Sequence, residues 1–119
     1  VDESDALLAD MLDGSAVLIA PDHIRYEVAS AIHTAVRMDR LLEADGRLAL
    51  TQFLEWQPAM AHHSGDDIAR RFGCALYDGP YLALADHIGA PLVHADRRLH
   101  TTLNLRFAHE LWIQDYRTA

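Results

Sequence analysis

The chain contains no lysine; its ten cationic side chains other than histidine are all arginine. Against 18 acidic residues this leaves a formal net charge of −8. Such a balance excludes a broad basic footprint of the kind that coats nucleic acid through its phosphates. It does not exclude a metal-dependent nuclease, whose acidic site is neutralised by divalent ions. A single cysteine, Cys74, rules out an internal disulfide and fits a reducing compartment. Its simplest role is that of a small buried hydrophobe. Apolar runs such as Ala16–Ala20 are far too short to cross a bilayer, and no signal peptide is visible, so a cytoplasmic protein without a membrane partner is expected. There is no glycine-rich phosphate loop, no Ser or Cys nucleophile motif, no internal repeat and no low-complexity linker. Six Gly and four Pro are too few for a disordered chain.

What is present is hydrophobic residue, 50% of a 119-residue chain, enough for one packed domain over residues 1–119. Ser4-Asp5 opens a first helix that Asp13-Gly14-Ser15 closes. Ala16–Ala20 reads as a buried strand, which Pro21-Asp22 breaks. A helix follows from about Ile24 to Asp39, with Val28, Ile32, Ala35, Val36, Met38, Ala29 and Ala31 on its buried side. A second runs from Leu42 or Ala44 to about Glu55, with Leu48, Leu50, Phe53, Leu54 and Trp56 as its apolar face and Gly46 weakening it. Pro58–His62 is a short strand or extended linker. Ser64-Gly65-Asp66-Asp67 starts a helix that Gly73 ends.

The stretch from Ala75 to Leu99 organises the chain. A helix starts at Tyr77-Asp78 and buries Leu82, Leu84, Ala85 and Ile88; Gly89 and Pro91 stop it. Pro91-Leu92-Val93 begins a buried strand that runs out at Asp96. Arg97–Thr102 is a short helix or turn, and Phe107–Ile113 a late strand. Strands alternating with helices predict an α/β fold with a small, mainly parallel sheet flanked by helices on both faces.

Three acids then fall in comparable places. Glu27 follows the Ala16–Ala20 strand, Asp78 starts a helix and Asp96 ends a strand. Hard ions such as Mg²⁺ and Mn²⁺ need several converging carboxylates. The helix dipole alone also accounts for a Glu in a first turn. His62-His63 are adjacent, so they do not face one way, and read as loop residues. Asp66-Asp67 suit a helix's first turn, and Asp115 suits the surface. Arg97-Arg98 are either phosphate contacts or a solvated pair. Trp56 and Trp112 read as core or interface.

The segments L-I-A-P-D-H-I-R-Y-E-V around Pro21 and Glu27, Y-D-G-P-Y-L-A-L-A around Asp78, and L-V-H-A-D-R-R-L around Asp96 together resemble a PIN domain of the bacterial VapC toxin type. The resemblance implies a PIN-like fold and a Mg²⁺- or Mn²⁺-dependent endoribonuclease, with Glu27, Asp78 and Asp96 as catalytic metal ligands. It further implies an RNA substrate, a homodimer and a cognate VapB-type antitoxin, whose inserted Arg or Lys would suit the acidic cluster. Two departures stand out. The family's first strand, with its own acid, has no counterpart before Ser4; Val1-Asp2-Glu3-Ser4 resembles it only superficially, and Val1–Asp13 reads as helical. His94 stands where the family has Thr or Ser; it either takes over that hydroxyl's hydrogen bond, touches a metal-bound water or points away. These departures keep a second reading open, a catalytically impaired PIN-like binding or assembly module. A third, an unrelated doubly wound protein, would hold an anion at a helix N-terminus.

Overall fold

The computed structural model describes residues 2–116. Helix α1, Glu3–Asp13, is capped by Asp2, two residues before the expected cap at Ser4: Asp2 accepts the Asp5 N–H at 2.8 Å. Gly14, at φ 84°, closes it as expected. Val1 lies outside the described residues.

Strand β1 is Ile19–Pro21, shorter than the expected Ala16–Ala20 and shifted. Val17 stands 87% exposed, because only the end of this apolar run meets a partner strand. Pro21 belongs to the strand rather than breaking it; at a strand end a proline forfeits only a donor. Helices α2, Ile24–Arg37, and α3, Glu43–Trp56, follow and pack on each other. Gly46 is buried at that crossing: a Cβ there would lie 2.7 Å from Val36 Cγ2. It is a contact residue, not merely a weak point in the helix. The expected apolar faces are less covered than their periodicity suggests. Ala31, Met38, Leu48, Leu54 and Trp56 are exposed, since the two helices bury mainly the side they turn to each other.

Strand β2, Ala59–Ala61, leads to α4, Asp66–Phe72, which Gly73 ends. A 3₁₀ turn, Leu76–Asp78, runs into α5, Gly79–Ile88. Strand β3, Leu92–His94, α6, Arg97–Leu103, and β4, Glu110–Trp112, complete the order before a last 3₁₀ turn at Ile113–Asp115. The α/β class and the parallel pairing match expectation; the single sheet does not. Among the described residues β1 pairs with β2 and β3 with β4, as two separate parallel ladders. An apolar cleft of about 410 Å³ lies between them, lined by residues including Ile19, Ala20, Trp56, Leu84, Ile88 and Val93. Ile88, expected in the core, is 45% exposed because it borders this cleft.

The tight core belongs to the second half of the chain. Phe72, Leu82, Ala85, Leu92, Leu99, Leu103 and Phe107 form one cluster, with half-buried Cys74 packed against it. Phe72 and Phe107 meet edge to face at 5.4 Å. Fully burying a leucine such as Leu82 contributes roughly 1.5–3 kcal/mol. This cluster is the rigid base from which α5 and β3 present their ends. Among the described residues no helix is long and apolar enough to cross a membrane.

Candidate functional site

Asp78 and Asp96 stand at the starts of helices and Glu27 in a helix's first turn. After Pro21 the chain turns through Asp22 and His23, and the Asp22 N–H still donates to Ala61 O at 3.1 Å, extending the β1–β2 ladder. Glu27 therefore lies one turn into α2, its N–H bonded to His23 O. Asp78 immediately precedes α5, its side chain making no capping hydrogen bond, with Pro80 in the first turn. Its placement depends on two glycines: a Cβ on Gly79 would sit 2.1 Å from Gly65 O. Only glycine lets the start of α5 approach the start of α4 so closely. Asp96 follows β3 by two residues and caps α6, its Oδ1 accepting the Leu99 N–H at 3.2 Å.

These segments bring like charges together. Burial pushes the Asp78 carboxyl above the ordinary carboxylate range, and the charges of Asp96 and then Glu27 push it further. The Ala75 backbone hydrogen bond and nearby His94 oppose the rise without cancelling it. Cys74 shares the neighbourhood: burial first, then Asp78, raises its thiol, which keeps it an inert packing residue.

Glu27 has two partners that sequence reasoning did not assign. Tyr81 donates its hydroxyl to Glu27 Oε1 at 2.5 Å, and His23 Nε2 lies 3.2 Å from the same oxygen. His23 Nε2 is also 3.1 Å from Tyr77 O, and its ring meets Tyr81 edge-on at 5.2 Å. Both contacts to Glu27 fall on Oε1, so Oε2 makes neither. Burial, then the Glu27 hydrogen bond, raises the Tyr81 phenol well above its usual value, keeping it a donor. Tyr81 stands in the Asp78-x-x-Tyr81 pattern, one helical turn past that acid, but it lies 54 residues from Glu27 and nothing local in the sequence ties the two together.

The donor set suits a hard divalent ion, being all carboxylate oxygen around a spot that resists a further negative charge. The three carboxylates are not, however, drawn into mutual ligand contact. Among the described residues the only group of at least three His, Cys, Asp or Glu side chains whose ligand atoms all lie within 4.8 Å of one another is His94, His100 and Glu110. Mg²⁺ keeps several waters and takes only one or two carboxylates directly, so the acidic set fits a hydrated ion better than a dehydrated one.

His94 does not point away. Its Nδ1 accepts the Asp96 N–H at 3.3 Å and its Nε2 meets Glu110 Oε2 at 2.7 Å. His100 Nδ1 reaches the same Glu110 oxygen at 2.8 Å. Trp112 stacks on His100 with centroids 4.7 Å apart, and Arg97 lies over its indole at 5.7 Å. Of the remaining candidates, Arg98 is exposed, His62 pairs loosely with Asp22 at 3.6 Å, and His63 packs on His87. Asp66 and Asp67 occupy the first turn of α4 as expected.

No protein-family model matches the chain, and no solved structure matches it. Curated relatives do. The chain is 34% identical over 114 residues to a VapC ribonuclease of Mycobacterium bovis, covering 86% of this chain and 88% of the relative. Ribonuclease VapC9 of Mycobacterium tuberculosis gives the same figures. Ribonuclease VapC3 of Pyrobaculum aerophilum is 32% identical over 85 residues, 66% of this chain and 65% of that one. With identity sustained across most of both chains in the mycobacterial pairs, the chain belongs to the VapC ribonuclease family.

Proposed function

We propose that the chain is a Mg²⁺- or Mn²⁺-dependent endoribonuclease, the toxin of a VapBC-type toxin–antitoxin system. One observation carries this reading: Glu27, Asp78 and Asp96, delivered by three different segments, share a neighbourhood in which Asp78 feels both other charges. That arrangement is costly without a cation and useful with one. Glu27, Asp78 and Asp96 would hold the ion, which when bound supplies an activated water and charge neutralisation at the scissile phosphate. Tyr81 and His23 fix the Glu27 carboxylate in one orientation. Pro80 and the Gly65–Gly79 approach fix Asp78, and the α6 cap fixes Asp96. The His94 ring beneath the Asp96 backbone restrains that turn in place of a hydroxyl. Exposed Arg97 and Arg98 beside Asp96 are suited to the substrate's flanking phosphates.

The fold we propose is a single PIN-like domain over residues 1–119, with helices on both faces of one sheet once a further strand joins it. β1 and β3 each have one ladder partner, and the apolar cleft separates them. A strand seated there would merge the two ladders. Family membership supports an RNA substrate and a VapB-type antitoxin as partners; in this reading the antitoxin presents a cation to the acidic cluster, and a second copy of the chain completes a homodimer. Exposed Leu8, Leu12, Leu48 and Leu54 provide apolar surface for protein partners. Action in the cytoplasm fits the single reduced cysteine.

The test is cleavage of RNA by the protein with Mn²⁺ or Mg²⁺, beside Asp78→Asn. Metal-dependent cleavage that the variant loses while staying folded supports the assignment; equal cleavage by the variant refutes it. One observation favours the competing module without nuclease activity, the spread of the three carboxylates beyond mutual ligand distance. That reading predicts no Mn²⁺ binding that depends on Asp78 and Asp96, a difference calorimetry reads directly.

A further inference from the structure

His94, His100 and Glu110 come from β3, α6 and β4, far enough apart in sequence that only the fold unites them. The parallel register sets Leu92 against Glu110 and His94 against Trp112. This brings the Glu110 carboxylate under the His94 ring, and α6 returns His100 to the same oxygen. The Glu110 and His94 side chains are only 8% and 9% exposed, and His100 27%. Their orientation is fixed before any ligand arrives. Trp112 stacks on His100 and meets His94 edge-on at 5.5 Å.

We propose that His94 Nε2, His100 Nδ1 and Glu110 Oε2 form a second metal site, distinct from the acidic cluster, for a divalent transition ion of the imidazole-preferring class, Zn²⁺ foremost. Two imidazoles and one carboxylate are the donor set such ions take, and hard Mg²⁺ does not favour it. The three donor atoms converge in a largely buried place, with the Glu110 and His94 side chains almost wholly covered and His100 partly exposed, so an ion held there loses little access to its ligands by motion. The nitrogens now lie 2.7 and 2.8 Å from the oxygen. Bonds of about 2.0–2.2 Å to one ion require these atoms to separate by less than roughly 1 Å, which the partly exposed His100 ring permits.

Coordination has a consequence for the neighbouring acid. In the metal-free chain the Asp96 N–H points at His94 Nδ1, so the His94 proton sits on Nε2 and is shared with Glu110. An ion on Nε2 displaces that proton to Nδ1, and the 3.3 Å contact from Asp96 must open. Occupancy of the second site therefore loosens or redirects the turn that carries Asp96. The site also clips β3, α6 and β4 together.

Calorimetric titration with Zn²⁺ tests this on the full chain carrying Asp78→Asn and Glu27→Gln, which removes the acidic cluster as a competing binder. The expected result is binding of one ion per chain, weakened more than about 10-fold by adding His100→Gln or Glu110→Gln. Because either substitution can unsettle the fold, imidazole ¹⁵N spectra of the otherwise unaltered chain give a second readout. Zn²⁺ should shift the His94 and His100 signals and move the His94 proton from Nε2 to Nδ1, while Mg²⁺ does neither. No Zn²⁺ binding in the Asp78→Asn, Glu27→Gln background, or imidazole signals unmoved by Zn²⁺, overturns the proposal. So does undiminished binding by folded His100→Gln and Glu110→Gln chains. None of these results bears on whether the acidic cluster cleaves RNA.

Discussion

Two carboxylate neighbourhoods lie at the same end of β3, and they are built on opposite principles. Around Asp78 the nearest charges are other carboxylates, and burial adds to their effect, so its proton is held more tightly than usual. Around Glu110 burial pulls in the same upward direction, but the hydrogen bonds and charge interactions of His100 and His94 together outweigh it and the net shift is downward. One cluster is frustrated without a cation; the other is satisfied by its own side chains. The contrast separates carboxylates that repel one another from a carboxylate that ties elements of the structure together.

The strongest way to break the comparison is to neutralise the frustrated acid. Asp78→Asn should reduce divalent-dependent RNA cleavage more than about 100-fold, since even outer partners of metal ligands typically cost roughly 10–100-fold. Initial rates on a single-stranded RNA, with folding checked by circular dichroism, measure it. Removing the satisfied acid should instead harm stability. Glu110→Ala leaves two imidazoles without their acceptor and should cost about 2 kcal/mol or more in urea unfolding. A milder probe is Tyr81→Phe, which deletes the donor to Glu27 but no ligand atom. It should weaken Mn²⁺ binding by about 10-fold, with little change in melting temperature.

The smallest effect carries the sharpest sign. The raised Asp78 carboxyl means that, between the ordinary and the raised value, the native chain holds more protons than the unfolded one. Its contribution to stability therefore falls as pH rises through that window, and Asp78→Asn should slightly stabilise the metal-free chain near neutral pH. For Glu110 the sign reverses. Its lowered carboxyl contributes stability that is present above the unfolded value and lost as pH falls through the folded one. Urea midpoints for the parent chain and for Asp78→Asn and Glu110→Gln, measured from acid to neutral pH, should diverge in opposite directions. Parallel curves would erase the distinction between the two clusters.

Much of the architecture was legible in residue pattern. Gly14, Gly73 and Gly89 all adopt left-handed conformations at helix ends, where their positions after apolar periodic segments predicted them. Asp78 and Asp96 stand at element ends because turn and cap chemistry is local. What periodicity did not carry is which apolar face gets covered. Leu48 and Leu54 follow the helical spacing yet remain exposed, because spacing defines a face without supplying the surface to bury it. The divided sheet was hidden for the same reason: an apolar strand segment does not say which edge it pairs with. At the site, Tyr81 on Glu27 spans 54 residues and His94 on Glu110 spans 16, separations with no local signature.

The sequence alone determined the α/β class, the order of most helices and strands, the acidic charge, the placement of Asp78 and Asp96 at element boundaries and that of Glu27 in a helix's first turn. Each depends on short-range physics: side-chain periodicity, capping and the φ preferences of Gly and Pro. Only the tertiary structure decided that Gly65 and Gly79 touch, that Tyr81 and His23 grip one oxygen of Glu27, and that Glu110 sits between two histidines. Those pairings arise when elements distant in the chain pack on the Leu82–Leu103 core, and the free energy that selects them is shared among many contacts rather than written in any one segment.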